Sequence, residues 1–389
     1  MALSPNDPAP KNLLRAPRGF VSVNGIQIPW EKAEISNTRY SSAGTFRVTI
    51  PVSKLPKNMS LATLLNTSPL TIQINAGVPF QTVSANATPS DLPMLILGDA
   101  DSISYEPHRT LVTITGRDYV SLFIENKVIH DAGIIPFENP TSAQIITNLA
   151  NLRGLEAVVS DTEQGTIGTY LQTAYQLITT QITEWDLMTF IAREENFDLY
   201  VIGKKLYFQA SQASEPYIIT LTTPYYSTAG GISTSNAENI TLTRNLRLLK
   251  DIIVTVTSWD VKEKINNEAT ATLVKNAGNV KSPPQTYNYT FPNLTPDQCQ
   301  QKADSLLKQI SAHEMNVTVR MPADQLITAN SILQIKNTNT AMDQTYFVKN
   351  VTRELDFTGG FIMQIDANNK TPFTTTENNS TATDNSENV

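Results

Sequence analysis

Ile114-Thr115-Gly116-Arg117-Asp118-Tyr119 at one end, and Phe197-Asp198-Leu199-Tyr200-Val201-Ile202-Gly203-Lys204-Lys205-Leu206-Tyr207-Phe208 at the other, frame the stretch whose reading decides the fold. The first is a strand running into a Gly-Arg-Asp corner. The second reads as a hairpin. Between them Thr183-Glu184-Trp185-Asp186 has capping-box spacing, with Asp186 where Glu or Gln is usual. Leu187, Met188 and Ile191 follow as an apolar stripe. A helix delivered directly onto a hairpin makes a compact unit, and Trp185, Phe190, Phe197, Tyr200, Tyr207 and Phe208 supply its expected core. Upstream, Ile145, Ile146, Leu149 and Leu152 lie at helical spacing, with Pro140 near the start and Gly154 past the end. Tyr170 to Ile178 suggests one more short helix. Residues 116–236 are therefore expected to form a small α/β domain, closing in a Ser/Thr/Pro/Gly-rich connector over 210–238.

Both flanks are strand-rich. Before the centre, Phe20–Val23 meets Ile26–Ile28 across Asn24-Gly25, a two-residue hairpin signal, and Pro29 ends the second strand or places it at an edge. Phe46, Val48 and Ile50 alternate with Arg47 and Thr49, as do Leu70, Ile72 and Ile74 with their neighbours. Met94–Leu97 and Leu111–Thr115 add two more strands, and 77–92 reads as an exposed loop. Short strands separated by turn signals predict a barrel or sandwich over 18–115. After the centre, Ile252–Val256 is the clearest strand, and 262–286 is a polar extended hairpin or loop. Thr295 then caps a helix over 295–312, with Pro296 at its first position, Gln298 completing a capping box, and Ala303, Leu306, Leu307 and Ile310 on one face. Strands return at Met315–Arg320, Ile332–Ile335, Tyr346–Val351 and Phe361–Ile365, with Gly359-Gly360 turning the last pair. A second β domain is thus expected over 237–370. Residues 1–17 read as a flexible arm. Residues 371–389, rich in Thr, Asn, Ser and Glu, bury too little apolar surface to offset ordering entropy and are expected to be disordered.

At 389 residues the chain is too long for one ordinary core. Charged residues make up 17% of it, against a usual ~25%, and amides and hydroxyls fill the gap. That surface suits a subunit whose faces are covered by neighbours, because buried amides can be hydrogen-bonded whereas buried charges are costly. A net charge of −7 argues against a dedicated nucleic-acid binder, but not against a channel through which nucleic acid merely passes. One cysteine, Cys299, rules out an intrachain disulfide framework and reads as a partly buried thiol. The N-terminus lacks a signal-peptide pattern, and no run approaches the ~18–20 apolar residues that cross a bilayer, so no membrane insertion is expected.

The search for chemistry is negative. None of the three histidines, His108, His130 and His313, lies in a metal-binding pair, and no nucleophile elbow accompanies His130-Asp131. Asp99-Ala100-Asp101-Ser102 starts like a calcium loop but lacks the required Gly and Glu, so it reads as a surface turn. Glu194 and Glu195 with Asp198 invite a glycosidase reading, but adjacent helical residues point apart, so they read as helix-surface charge. Arg117-Asp118 reads as a structural junction. No catalytic, cofactor-binding or metal-binding residue is expected, and no cofactor.

The order of these pieces resembles the late-control D family, the baseplate hubs of contractile-tailed phages of the Mu-like and T-even kind. The resemblance runs over roughly 18–367. It rests on Phe20–Gly25 with Gly44–Val48, on Val112–Asp118, on Thr183–Asn196 leading into Phe197–Phe208, and on the 295–312 helix with the closing Tyr346-Phe347-Val348 and Phe361–Gln364 hairpin. Thr328-Ala329-Asn330-Ser331 stands where the family often has Pro-Gly. The resemblance implies a homotrimer in which each chain carries two tail-tube-like β-barrels, 18–115 and 237–370, so that three copies present a pseudo-sixfold ring. It implies a tail tube protein, a central spike protein and other baseplate proteins as partners. It implies a DNA channel without specific binding, and a place in the virion after synthesis in the host cytoplasm. Type VI secretion spikes share the layout, so the hub part of a type VI secretion-like or tailocin injection machine is an alternative. A cell-wall polysaccharide hydrolase, or a glycan-binding module using Tyr225-Tyr226 or Trp259, are the competing functions.

Overall fold

The computed structural model describes residues 17–39, 42–78, 87–128, 141–160, 182–195, 197–210, 216–222, 234–245, 251–260, 265–273, 283–292, 294–311, 315–338, 340 and 342–369. The protein is mainly β, with large antiparallel sheets and a few helices. Its chain forms two compact units. One comprises 1–215, 321–330 and 349–364, and the other 216–320, 331–348 and 365–389. Compactness therefore groups residues differently from chain order, because late strands return to the early part of the chain. The expected arm, the 170–178 helix, His130, His313, Tyr225-Tyr226 and the C-terminal tail lie outside the described residues.

The first unit begins with β1 (Arg18–Val23), β2 (Ile26–Ile28), β3 (Lys32–Thr38), β4 (Thr45–Pro51), β5 (Thr71–Gly77), β6 (Met94–Glu106) and β7 (Leu111–Asp118). They pair antiparallel in the order β3-β4-β7-β6-β5-β1-β2. Residues 350–356 of a later strand, β19 (Thr345–Asp356), join the free side of β3. Asn24 and Gly25 have φ of 47° and 79°, the left-handed pair that a two-residue turn between twisted strands requires. Pro29 has no N–H to donate, and β2 stops at Ile28.

Alternate side chains of all seven strands meet in one core. Val21, Ile35, Val48, Ile72, Ile96 and Ile114 are among its buried members. Outside the strands, that cluster draws mainly on residues 52–64, where helix α1 (Leu61–Asn66) contributes Leu64. The inner face is thus closed largely by the sheet itself, which rolls over its own interior. Each such Ile or Val stabilises the fold by roughly 1.5–3 kcal/mol.

A second core in the same unit is helical on one side. Helices α2 (Val120–Glu125), α3 (Ser142–Leu152) and α4 (Glu184–Glu195) cover a three-stranded sheet of β8 (Glu156–Val159), β10 (Lys205–Ala210) and β9 (Phe197–Ile202). The expected cap of α4 is made: Thr183 and Asp186 exchange bonds of 3.2 and 3.1 Å. Helix α3 has a cap that the sequence reading did not name, Thr141 together with Gln144. Gly154 ends α3 at φ 71°. Trp185 and Phe208 are buried, and Phe190 and Phe197 pack against them. Tyr200 and Tyr207 correct the expected core: they are cross-strand partners that stack at 4.9 Å on the opposite face, because Leu199 and Phe208 take the inward phase.

The second unit holds β14 (Ile252–Asp260), β15 (Ile265–Leu273) and β16 (Gln285–Pro292) in the order β15-β14-β16. Helix α5 (Pro296–Ser311) packs on β14 and β15. Its Thr295 cap bonds Gln298 in both directions, at 3.0 and 3.4 Å. Cys299 and Ala303 on its inner face, with Val254 and Val256 on the sheet, are fully buried. The polar 262–286 segment, expected as an extended hairpin or loop, holds the nine-residue strand β15, which runs antiparallel to β14. One expectation is corrected here. The 210–238 connector contains β11 (Tyr217–Thr222), which runs parallel to β18 (Ile332–Lys336). Elsewhere in this unit β13 (Asn239–Arg244) pairs antiparallel with β17 (Met315–Pro322).

Candidate interaction surface

The Gly-Arg-Asp corner at the end of β7 is a structural knot. One carboxylate oxygen of Asp118 accepts the Gly44 N–H at 2.9 Å, and the other accepts the Val120 N–H at 3.1 Å, at the first residue of α2. The Asp118 N–H returns to the Gly44 carbonyl at 2.9 Å. A Cβ at Gly44 would lie 2.7 Å from the Asp118 carboxylate, so a side chain there would break the bond. Burial pushes the Asp118 carboxyl up to about 7, against the two N–H donors and the Arg117 charge that favour ionisation.

Next to it, Arg117 forks onto Asp101 at 2.7 and 2.8 Å and also reaches Glu125. Asp101 does not sit in a surface turn, as expected. It lies inside the 13-residue β6, where a register shift between Ala100 and Ser102 bulges the strand toward Arg117.

Two of the carboxylates that suggested glycosidase chemistry, Glu195 and Asp198, are spent on structure, and the Glu194 side chain lies outside the described residues. Glu195 accepts the Ser142 hydroxyl at 2.6 Å. Asp198 is clamped by Arg39 through bonds of 2.8 and 2.9 Å, with both residues buried. A second buried acid, Glu184, accepts two bonds from Arg153. Among the described residues no group of three His, Cys, Asp or Glu side chains is placed to hold a metal ion. Cys299 is buried, and that burial pushes its thiol up, away from the reactive thiolate. His108 is exposed in the turn between β6 and β7.

Among the described residues two surfaces stand out. The first is a groove of about 1160 Å³ on the first unit, floored by the stacked rings of Trp30 and Phe357, with centroids 5.0 Å apart. Phe357 is 76% exposed, the most of any large apolar residue described. The tight turn from β19 into β20 (Gly360–Asn368) carries it. In that turn Asp356 accepts the Thr358 hydroxyl and the N–H groups of Thr358 and Gly359, bonds that hold its carboxyl below the usual range. Glu31, Glu106 and Asp356 stand around the groove with Arg47, Lys54 and Arg109. No local signal announced this site, because Trp30 and Phe357 are more than three hundred residues apart in sequence.

The second surface is the outer face of the β15-β14-β16 sheet, a threonine array. Thr255 lies 3.4 Å from Thr270, and Thr257 lies 3.1 Å from Thr290, hydroxyl to hydroxyl. Trp259, 53% exposed, stands at the end of β14.

No protein-family model matches the chain, and no curated protein sequence does. Solved structures share the fold. The tail protein from Neisseria meningitidis MC58 superposes with a TM-score of 0.65 at 12% identity, covering 90% of this chain and 96% of that one. The 43 kDa tail protein of prophage MuSo2 from Shewanella oneidensis gives 0.62 at 12% identity, over 91% and 97%. Prophage tail protein gp18 from Listeria monocytogenes EGD-e gives 0.51 at 9% identity, over 87% and 88%. The chain has the fold of these tail proteins.

Proposed function

We propose that this chain is a non-enzymatic structural subunit of a phage tail, and more narrowly the baseplate hub of a contractile tail. The observation that carries the reading is the fold shared along nine-tenths of the chain with the Neisseria tail protein. A likeness that long involves the whole architecture rather than one grafted module. The sparse charge of the sequence agrees with faces covered by neighbours.

In this reading three copies form a ring. Each contributes two tube-like β-barrels, from 18–115 and 237–370, joined by the α/β domain of 116–236. Three copies then imitate six, which reconciles a sixfold tail tube with a threefold central spike without straining either. Other baseplate proteins cover the outside, and DNA passes through a channel that does not bind it specifically. The protein is made in the host cytoplasm and resides in the virion. Mass photometry of the protein mixed with its cognate spike tests the stoichiometry. Trimers are expected, and only monomers or even-numbered species would overturn the hub reading. A turnover assay on purified peptidoglycan tests the absence of catalysis. Activity lost on Glu195→Gln would overturn it.

A further inference from the structure

We propose that the Trp30–Phe357 groove binds a short neutral oligosaccharide, with one sugar face stacked on the Phe357 ring. The inference concerns one groove of the first unit. It is independent of the hub reading, whose stoichiometry test is separate.

The platform is built before any ligand arrives. Phe357 is 76% exposed, and Trp30 stacks against it at 5.0 Å with the ring planes 21° apart. Trp30 is fixed in turn, because its indole N–H donates to the Gly19 carbonyl at 3.0 Å. Asp356 holds the turn that carries Phe357 through three accepted bonds. A ring held in place loses little freedom on binding. Its negative π-face attracts the C–H groups that cover one side of a pyranose. Exposed apolar surface rimmed by polar side chains is also what marks a ligand groove.

The walls decide the charge of the guest. Lys32, Arg47, Lys54 and Arg109 line the groove together with Glu31, Glu106 and Asp356. Four cations among three anions select neither a polyanion nor a polycation. Seven charges around two rings also disfavour a wholly apolar guest, which would strip them of water. A neutral, hydroxyl-rich guest satisfies both conditions. Lys32 is engaged by Glu354, Glu106 by Arg109 at 3.5 Å, and Asp356 by its own turn. Arg47, Lys54 and Glu31 are exposed and have no side-chain partner among the described residues. They offer donors and an acceptor to hydroxyl groups, which donate and accept at once. At about 1160 Å³ the groove exceeds the ~300–1,000 Å³ of single small-ligand sites, so it has room for more than one sugar ring.

The test presents the full chain to an array of neutral oligosaccharides that includes maltotetraose, cellotetraose and chitotetraose. Binding to at least one neutral oligosaccharide is expected, and calorimetric titration then measures the tightest. Phe357→Ala, at an exposed position whose change leaves the core intact, should weaken it by about tenfold or more. Arg47→Gln should weaken it several-fold. Trp259→Ala, which removes the exposed aromatic of the second unit, should leave it unchanged. The affinity should also hold between about 50 mM and about 500 mM salt, because no ion pair forms with the guest. An array on which no neutral oligosaccharide binds overturns the proposal. So does binding that survives Phe357→Ala, or tighter binding of triglutamate or trilysine that depends on Phe357.

Discussion

The seven-stranded sheet of the first unit and the β15-β14-β16 sheet of the second use the same strand chemistry and close their cores differently. In the first, the sheet supplies both floor and lid, so Ile114 is surrounded by strands whose positions are tied to one another by hydrogen bonds. In the second, one helix packs on β14 and β15 of a three-stranded sheet, and both outer strands, β15 and β16, have one partner each among the described residues. A rolled sheet cannot shift one wall without breaking ladder bonds. A helix on a sheet can slide inward. The difference concerns how well each core relaxes around a lost atom.

Truncation at equivalent depth separates the two. Ile114→Ala should cost about 4–5 kcal/mol, the upper end for a large-to-small core change, because the cavity stays open. Ile252→Ala, also fully buried, should cost nearer ~2 kcal/mol, because α5 can settle. Denaturant midpoints measure both, and equal losses would break the comparison. Asp198→Ala should cost about 3 kcal/mol, since it removes the carboxylate that neutralises Arg39 in the interior.

The knot at Asp118 gives the first unit a pH dependence. Its folded-state carboxyl titrates at about 7 against an ordinary 3.8, so the native state keeps a proton that the unfolded chain releases. Its contribution is fully present below about pH 4 and is lost as pH rises through about 7. Urea unfolding across that window should show stability falling with pH, and Asp118→Asn should flatten the slope. An unchanged slope in the variant assigns the dependence elsewhere. The smallest effect belongs to the second unit: Thr295→Ala removes one cap bond at the start of α5 and should cost ~1 kcal/mol by thermal unfolding.

Local signals were legible wherever the chemistry is local. The Asn24-Gly25 turn and the Thr183 and Thr295 boxes each satisfy orphan backbone groups within four residues, and all three are where the sequence puts them. The strands of the first sheet that alternate cleanly, such as 46–50 and 111–115, were legible too. β15 is legible only as part of an extended hairpin or loop, because Ile-Asn-Asn-Glu-Ala-Thr-Ala-Thr-Leu buries only Ala271 and Leu273 and shows its polar side to solvent. β3 is not legible for the same reason, burying only Ala33 and Ile35. Tyr200 and Tyr207 misled because aromatic content says nothing about strand phase. The Arg39–Asp198 clamp and the Trp30–Phe357 floor join residues far apart in sequence, and no window of sequence contains either.

The hub reading makes one demand above the others: a single chain must present two strand-built lobes of like shape to a tube. A reconstruction of the tail tip carrying this protein tests it directly. Three copies arranged as a six-lobed ring, with residues 18–115 and 237–370 alternating around it, is the expected result. Six copies in the ring, or lobes from those two segments that fail to superpose, would contradict it.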